Sequence, residues 1–170
     1  MSETLHVPGG ASREEVYRAL LPQIESVISG VDDLIANLAN IAAILKAAFD
    51  FHWVGFYRTT APGLLALGPF QGPLACVTIP FDKGVCGAAA RTRETVLVGD
   101  VDAFPGHIAC SSLSKSEIVV PLVHRGTTAL VLDIDSDKKD DFGEVDRVWL
   151  ERIVALIKAQ HFYTTPSASS

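Results

Sequence analysis

Cysteine and basic side chains are both scarce in this chain of 170 residues. The three cysteines are an odd number at low density, unlike the disulfide framework of a small secreted protein. The 14 Lys and Arg are outnumbered by 20 Asp and Glu, giving a formal net charge of −6, and no basic run exceeds two residues. This distribution of charge argues against binding to the phosphate backbone of a nucleic acid.

Long apolar runs are also missing. The strongest runs, such as residues 118–123, are interrupted by proline and are far shorter than the roughly 20 residues that span a bilayer. The first ten residues contain Glu3 and two glycines but no apolar stretch typical of a secretory signal. We therefore expect a cytoplasmic protein, whose thiols serve as metal ligands, redox catalysts or core fillers.

The overall composition of the chain is typical of one globular domain. With 48% hydrophobic residues, 20% charged residues and a mean hydropathy of +0.29, the chain is far from the composition of a disordered protein. Its length allows a full hydrophobic core without cross-links. We predict a single domain over residues 1–170, with a core at about 12–162 and a frayed tail at 164–170.

Helical periodicity and capping residues predict four helices, at residues 12–30, 33–49, 84–93 and 141–162. Ser12 with Glu15 forms a capping box for the first helix, Asp32 or Asp33 caps the second, and Asp141 with Glu144 is predicted as the cap of the last.

Strand-like patterns fill the middle of the chain, at residues 51–57, 64–67, 74–79, 95–98, 117–124 and 128–135. Residues 104–116 contain proline, glycine and four serines with little periodicity, which predicts a long loop, and long loops inside compact domains are often functional. Consecutive strands between terminal helices favour an α+β domain with an antiparallel sheet.

Each cysteine lies in a different predicted segment: Cys76 in a strand, Cys86 at a helix start and Cys110 in the long loop. The chain has no C-x-x-C pair, and His107 with Cys110 is one close pair where a structural zinc site brings at least two, so no metal site is expected. Cys86, among glycine and alanine, is predicted to fill the core. For Cys110, these residues leave a reactive and an unreactive thiol equally open.

Asp133 and Asp135 stand two residues apart in an apolar strand, which points both side chains to one face. Burial and repulsion would raise the pKa of at least one, so the pair could hold a proton or receive a cationic ligand. Alternatively, the strand ends by Ile134 and both acids are solvated. Glu117 would lie near the same end of the sheet, across a hairpin that turns at residues 125–126.

Six motifs occur in order along the chain: WVGFY at 53–57, LGPFQG at 67–72, IPFDKGVCG at 79–87, FPGHIAC at 104–110, SEIVVPLV at 116–123 and LDIDS at 132–136. Together they closely resemble the free methionine-(R)-sulfoxide reductases, single-domain enzymes of the GAF fold. The resemblance implies a central six-stranded antiparallel sheet, helices packed on one face of it, and a homodimer. At His52, Ser111 and Leu130 the chain departs from residues common in that family.

The resemblance also implies roles for individual residues. Cys110 is the implied nucleophile, Cys76 the resolving thiol that closes a disulfide with it, and Cys86 an auxiliary catalytic cysteine. The implied substrate-binding side chains are Trp53, Tyr57, Glu117, Asp133 and Asp135, of which Glu117 or Asp135 also donates a proton.

Free methionine-(R)-sulfoxide is the implied substrate, with no cofactor and with thioredoxin as the external dithiol reductant. The alternative is a GAF domain that binds a small ligand or senses redox state without turnover, since one fold hosts many functions.

Overall fold

The computed structural model describes residues 4–108 and 110–163, so the predicted tail at 164–170 lies outside the described residues. Within them, the helices and strands are α1 (Arg13–Ile28), α2 (Leu34–Phe49), β1 (Trp53–Ala61), β2 (Leu64–Gln71), β3 (Thr78–Pro80), α3 (Gly84–Thr92), β4 (Val96–Val98), β5 (Ser116–His124), β6 (Thr127–Ser136) and α4 (Glu144–His161). A short 3-10 helix (Val101–Ala103) follows β4. No helix in this described part of the chain is long and apolar enough to cross a membrane.

The six strands form one antiparallel sheet in the order β3-β2-β1-β6-β5-β4, which confirms the predicted α+β class. β5 and β6 are joined by a tight turn in which Arg125 and Gly126 both have positive φ angles, 51° and 77°. Such a turn matches the right-handed twist of the two strands and fixes their register. As a result, Glu117 lies opposite Asp135 in the sheet.

The sheet is buried on both faces. The terminal helices α1 and α4 pack with α2 against one face, and their apolar side chains form a core with Val54, Phe56 and alternate residues of β5 and β6. The family resemblance implied helices packed on one face, which holds for α1, α2 and α4 but not for α3. Val85 and Ala89 of α3 instead pack on Val119 and its neighbours on the opposite face, which carries the site described below.

Two predicted helix starts are confirmed by their hydrogen bonds. Ser12 Oγ accepts the backbone N–H of Glu15 at 3.2 Å, and the Glu15 carboxylate accepts the N–H of Ser12 at 3.0 Å. At the start of α2, Asp33 accepts the N–H of Ala36 at 3.1 Å. Each bond satisfies a backbone donor that the first helical turn leaves unpaired.

The predicted cap of α4 is wrong. The N-cap is Gly143, and Asp146 supplies the capping bond by accepting the Gly143 N–H at 2.9 Å. Asp141 does not cap the helix because its carboxylate pairs with Arg13 of α1 at 2.9 Å. The cap therefore lies two residues after the predicted position, and Glu144 is the first helical residue.

The predicted strand at 74–79 is also wrong over most of its length, because only Thr78–Pro80 pairs as a strand. Two carbonyl groups of the preceding segment accept hydrogen bonds from side chains: Trp53 Nε1 donates to Pro73 O at 3.1 Å, and the Tyr57 hydroxyl donates to Cys76 O at 3.0 Å. Leu74, 89% exposed, is not half-buried as a strand pattern requires. Cys76 therefore lies in an irregular connection, which the hydrogen bonds from Trp53 and Tyr57 hold in place.

Candidate functional site

Three carboxyl groups meet on the face of the sheet that α3 covers. Asp133 and Asp135 lie two residues apart on β6, and Glu117 of β5 is the direct cross-strand partner of Asp135. The alternative in which the strand ends by Ile134 is wrong, because β6 continues to Ser136. Glu117 and Asp133 are each only 6% exposed, so both carboxyl groups are largely shielded from bulk solvent.

Burial raises the pKa of all three acids, but to different extents. Burial and the nearby Asp133 hold the pKa values of Glu117 and Asp135 well above the ordinary range. Burial raises the pKa of Asp133 to about 6, where hydrogen bonding with Glu117 and Cys86 limits the rise. Asp133 is therefore the member of the cluster that loses its proton most readily, and Glu117 and Asp135 hold theirs more tightly.

Cys86 completes this cluster from the third position of α3. Its Sγ donates a weak hydrogen bond to Glu117 Oε1 at 4.0 Å, and burial with the nearby Asp133 raises the pKa of the thiol. The thiol is buried and free, as predicted for a cysteine that fills the core. Asp133 Oδ1 is buried with no hydrogen-bond partner, so the cluster keeps one vacant acceptor.

Cys76 and Cys110 form a disulfide, with their Cα atoms 5.5 Å apart and a sequence separation of 34. This confirms the pairing that the family resemblance implies. Cys110 belongs to the predicted long loop between the 3-10 helix and β5, and both cysteines are half-buried. The loop is tied to the start of α3, where the Gly84 N–H donates to Gly106 O at 3.0 Å. The loop that carries Cys110 therefore lies beside the first turn of α3, which covers the same face of the sheet as the acids.

Aromatic side chains of β1 form a wall beside the three acids. Trp53 stacks on Phe70 and Tyr57, with ring centroids 5.3 Å and 5.9 Å apart. The Trp53 ring lies over Gly55, where an added Cβ would come within 2.4 Å of it. Gly55 is in turn the cross-strand partner of Asp133, so a missing side chain makes room for the indole beside the acidic cluster.

One cavity brings nearly all the predicted site residues together. Its lining includes Trp53, Tyr57, Cys86, Cys110, Glu117, Asp133 and Asp135. Cys76 does not line the cavity and reaches it through its disulfide.

Sequence reasoning missed several other lining residues, namely Leu74, Ala75, Ile79, Gly84, Val85, His107, Ile108, Ser111 and Ser114. Ser114 hydrogen-bonds to Asp135 and Ser111 lies 3.1 Å from His52 Nε2. The abundance of serine in the loop was the available signal for these two.

The comparisons with known proteins agree with this architecture. Residues 29–159 match the family model of the GAF domain, so the chain is a GAF domain protein. GAF domain-containing protein A of Dictyostelium discoideum is 52% identical over 157 residues, which cover 92% of this chain and 99% of that protein.

Two further relatives define the branch of the GAF family. Free methionine-R-sulfoxide reductase of Saccharomyces cerevisiae is 44% identical over 154 residues, 86% of each chain. The X-ray structure of free methionine-R-sulfoxide reductase from Neisseria meningitidis, in complex with its substrate, matches with a TM-score of 0.89 and 51% identity, covering 92% of this chain and 94% of that one. The chain belongs to the free methionine-R-sulfoxide reductase family.

Proposed function

We propose that this protein reduces free methionine-R-sulfoxide to methionine with its own thiols. The observation that carries the proposal is one cavity in which a disulfide-forming cysteine, Cys110, faces three buried carboxyl groups of unequal proton affinity. Such an arrangement supplies a nucleophile, a proton donor and a site for a positive charge. The yeast and Neisseria relatives are both named for this activity, which supports the proposal.

In the first step, Cys110 of the reduced protein attacks the sulfur of the sulfoxide. Glu117 or Asp135, protonated because burial raises their pKa values, donates a proton to the sulfoxide oxygen. The oxygen ends on Cys110 as a sulfenic acid and methionine leaves. The sulfoxide is thereby reduced by two electrons, and the thiol of Cys110 is oxidised by two.

Selection for the free amino acid follows from Asp133. Its carboxylate is charged near neutral pH and its Oδ1 lacks a partner, so it can accept the α-ammonium of the substrate. A methionine inside a peptide has no ammonium group and would leave this charge unpaired, at a cost of about 1.5–3 kcal/mol. Trp53 and Tyr57 would pack against the methyl end of the substrate and favour the R sulfoxide.

In the second step, the Cys76 thiol attacks the sulfenic sulfur, water leaves, and the disulfide with Cys110 forms. Restoring both thiols needs two electrons and two protons from an external dithiol, for which thioredoxin is the protein we propose. Thioredoxin should then support multiple turnovers at micromolar concentration. We further propose a homodimer, which light scattering on the purified protein would test.

The test of the function is a single turnover of the fully reduced protein. Free methionine-R-sulfoxide, the S isomer and N-acetylated methionine-R-sulfoxide are supplied separately, and methionine and thiols are counted before and after. We expect about one methionine per chain from the free R isomer alone, with the thiol count falling from three to one. Unchanged thiols and no methionine from any isomer would overturn the proposal in favour of a binding domain.

A further inference from the structure

The acidic cluster is without a positive partner in the part of the chain that the structure describes. Among the described residues, none of the ion pairs includes Glu117, Asp133 or Asp135. Asp133 lines the cavity, is only 6% exposed, and has one buried carboxylate oxygen without a hydrogen-bond partner. A buried carboxylate without a cation is costly, so this site favours a cationic occupant even when no substrate ammonium is present.

The donor atoms of the cluster stand close enough to share one ion. Cys86 Sγ and one carboxylate oxygen each from Glu117 and Asp133 all lie within 4.8 Å of one another. Around a tetrahedral zinc ion, with bonds of about 2.3 Å to sulfur and 2.0–2.2 Å to oxygen, donor atoms lie roughly 3.5 Å apart. Side-chain rotations that bring each donor inward by about an ångström would complete the geometry.

All three donor residues lie in regular secondary structure. Glu117 and Asp133 lie in the central strands β5 and β6, and Cys86 lies in the first turn of α3, which packs on those strands. The remaining coordination position faces the cavity, where water can enter. Three protein ligands with one open position is the arrangement of an accessible zinc site rather than a closed structural one.

We propose that Cys86, Glu117 and Asp133 bind one divalent cation of the zinc class, which occupies the place of the substrate ammonium. The thiolate favours Zn²⁺, Co²⁺ or Cd²⁺ over Mg²⁺ and Ca²⁺, which prefer oxygen ligands. Binding displaces the thiol proton of Cys86 and the carboxyl proton of Glu117, and both protons pass to solvent. The metal site itself does not depend on the proposed function, whereas its competition with substrate does.

The experiment uses Co²⁺ as a spectroscopic probe and the oxidised protein as its host. In the oxidised protein the Cys76–Cys110 disulfide leaves Cys86 as the sole free thiol, so a thiolate-to-cobalt charge-transfer band in the near ultraviolet reports on Cys86 alone. We expect the band to saturate at one Co²⁺ per chain and to disappear when Zn²⁺ is added. A variant with Cys76→Ser and Cys110→Ser, which also keeps only Cys86, tests the site without the disulfide.

Substitutions identify the ligands. Cys86→Ser should abolish the band, and Asp133→Asn should weaken Co²⁺ binding at least about tenfold. The matched control is Asp137→Asn, an exposed carboxylate just beyond β6, which should bind Co²⁺ as the wild type does. No charge-transfer band in either host, or a band that survives Cys86→Ser, would overturn the metal site. In the latter case the ion is adventitious.

Competition links the site to the proposed function. Free methionine-R-sulfoxide should raise the apparent dissociation constant of Co²⁺ for the double variant, in proportion to the sulfoxide concentration. Cobalt binding that is indifferent to the sulfoxide would overturn the shared position while leaving the metal site standing. If the single-turnover assay fails but the cobalt spectrum appears, the reductase proposal falls and the metal site does not.

Discussion

Asp133 and Glu117 both carry a carboxyl group and are equally buried, yet their pKa values suit them to different roles in the site. Asp133 takes part in hydrogen bonds that favour its charged form, and its pKa rises only to about 6. Burial, together with the nearby Asp133 and Asp135, raises the pKa of Glu117 much further. Two neighbouring acids driven to opposite protonation states can serve as a cation site and a proton donor at the same pH.

Replacing the charged member should separate binding from chemistry. Asp133→Asn keeps the shape but removes the charge that holds the ammonium, so we expect KM for free methionine-R-sulfoxide to rise at least about tenfold, with a smaller fall in kcat. Steady-state kinetics with Asp137→Asn as control would measure the split. A fall in kcat at constant KM would instead make Asp133 the proton donor.

The two disulfide cysteines should fail at different steps. Cys110→Ser removes the attacking sulfur, so even the first methionine should not form. Cys76→Ser should release one methionine per chain at the wild-type rate and then stop, because the sulfenic acid lacks its partner. Rapid-quench assays of the reduced variants would measure both. Equal yields from wild type and Cys110→Ser would contradict the assignment of the nucleophile.

Much of the site could be predicted residue by residue because side chains in a β-strand alternate between the two faces of the sheet. The two-residue spacing of Asp133 and Asp135, and the hairpin that returns Glu117 beside them, follow from the period of a β-strand. The contacts of Ser111 and Ser114 could not be predicted. They depend on the path of an irregular loop, which no periodic pattern describes.

Among the secondary-structure elements, β1 supplies the aromatic wall of the cavity, through Trp53 and Tyr57. Gly55 leaves the space into which the Trp53 ring folds, and a Cβ there would also lie 2.5 Å from Phe70 Cβ. The indole then donates its N–H to Pro73 O, which holds the connection leading to Cys76. One strand thus positions both the aromatic wall and the connection that carries a disulfide cysteine, Cys76.

Gly55→Ala tests this packing. The added methyl group should displace the Trp53 ring, lower the free energy of unfolding by about 1–3 kcal/mol, and raise KM for the sulfoxide. Gly9→Ala is the control, because an added Cβ at that exposed position meets nothing within 4 Å. Denaturant unfolding and steady-state kinetics would measure the two effects. Wild-type values for both would show that the ring does not depend on the glycine.

The loop that carries Cys110 has a second attachment outside the sheet. His52 Nε2 and Ser111 Oγ lie 3.1 Å apart, which joins the residue after Cys110 to the segment before β1. His52→Ala and Ser111→Ala should each slow disulfide closure several-fold, and the double variant should be no slower, because both remove one bond. Stopped-flow thiol kinetics would measure the closure, with exposed Ser112→Ala as control. Additive effects would contradict a shared bond.

The errors of prediction at the element scale have tertiary causes. Asp141 matches a local capping pattern, but Arg13, which is distant in sequence, takes its carboxylate. Residues 74–77 have strand-like composition, yet the side chains of Trp53 and Tyr57 bind the carbonyl groups of Pro73 and Cys76, just before and within that segment. The strongly periodic helices and the β5–β6 hairpin were predictable because their signals are local.

For the whole molecule, the buried acids make stability depend on pH in an unusual direction. A carboxyl group whose pKa is higher in the folded state than in the unfolded state binds more protons when folded. Its contribution to stability is therefore present at low pH and is lost as the pH rises. For Asp133, the rise from 3.8 to about 6 corresponds to about 3 kcal/mol. Glu117 and Asp135 extend the loss to higher pH.

The variant Asp133→Asn should remove this penalty because its side chain stays neutral. We expect the free energy of unfolding of the variant to rise relative to wild type by up to about 3 kcal/mol as the pH increases from 4 to 7. Urea unfolding at several pH values would measure this difference, with Asp137→Asn following wild type. A difference that does not change with pH would contradict the raised pKa.

The Cys76–Cys110 bond closes a covalent ring around β3, α3 and β4. Exposed basic residues lie inside that ring, at Lys83, Arg91 and Arg93. A single tryptic cut at any of them leaves one molecule while the ring is closed and two fragments once it is open. In the proposed cycle, a nicked chain therefore stays covalently joined while the disulfide is closed, and only noncovalent contacts hold its two pieces together while the disulfide is open.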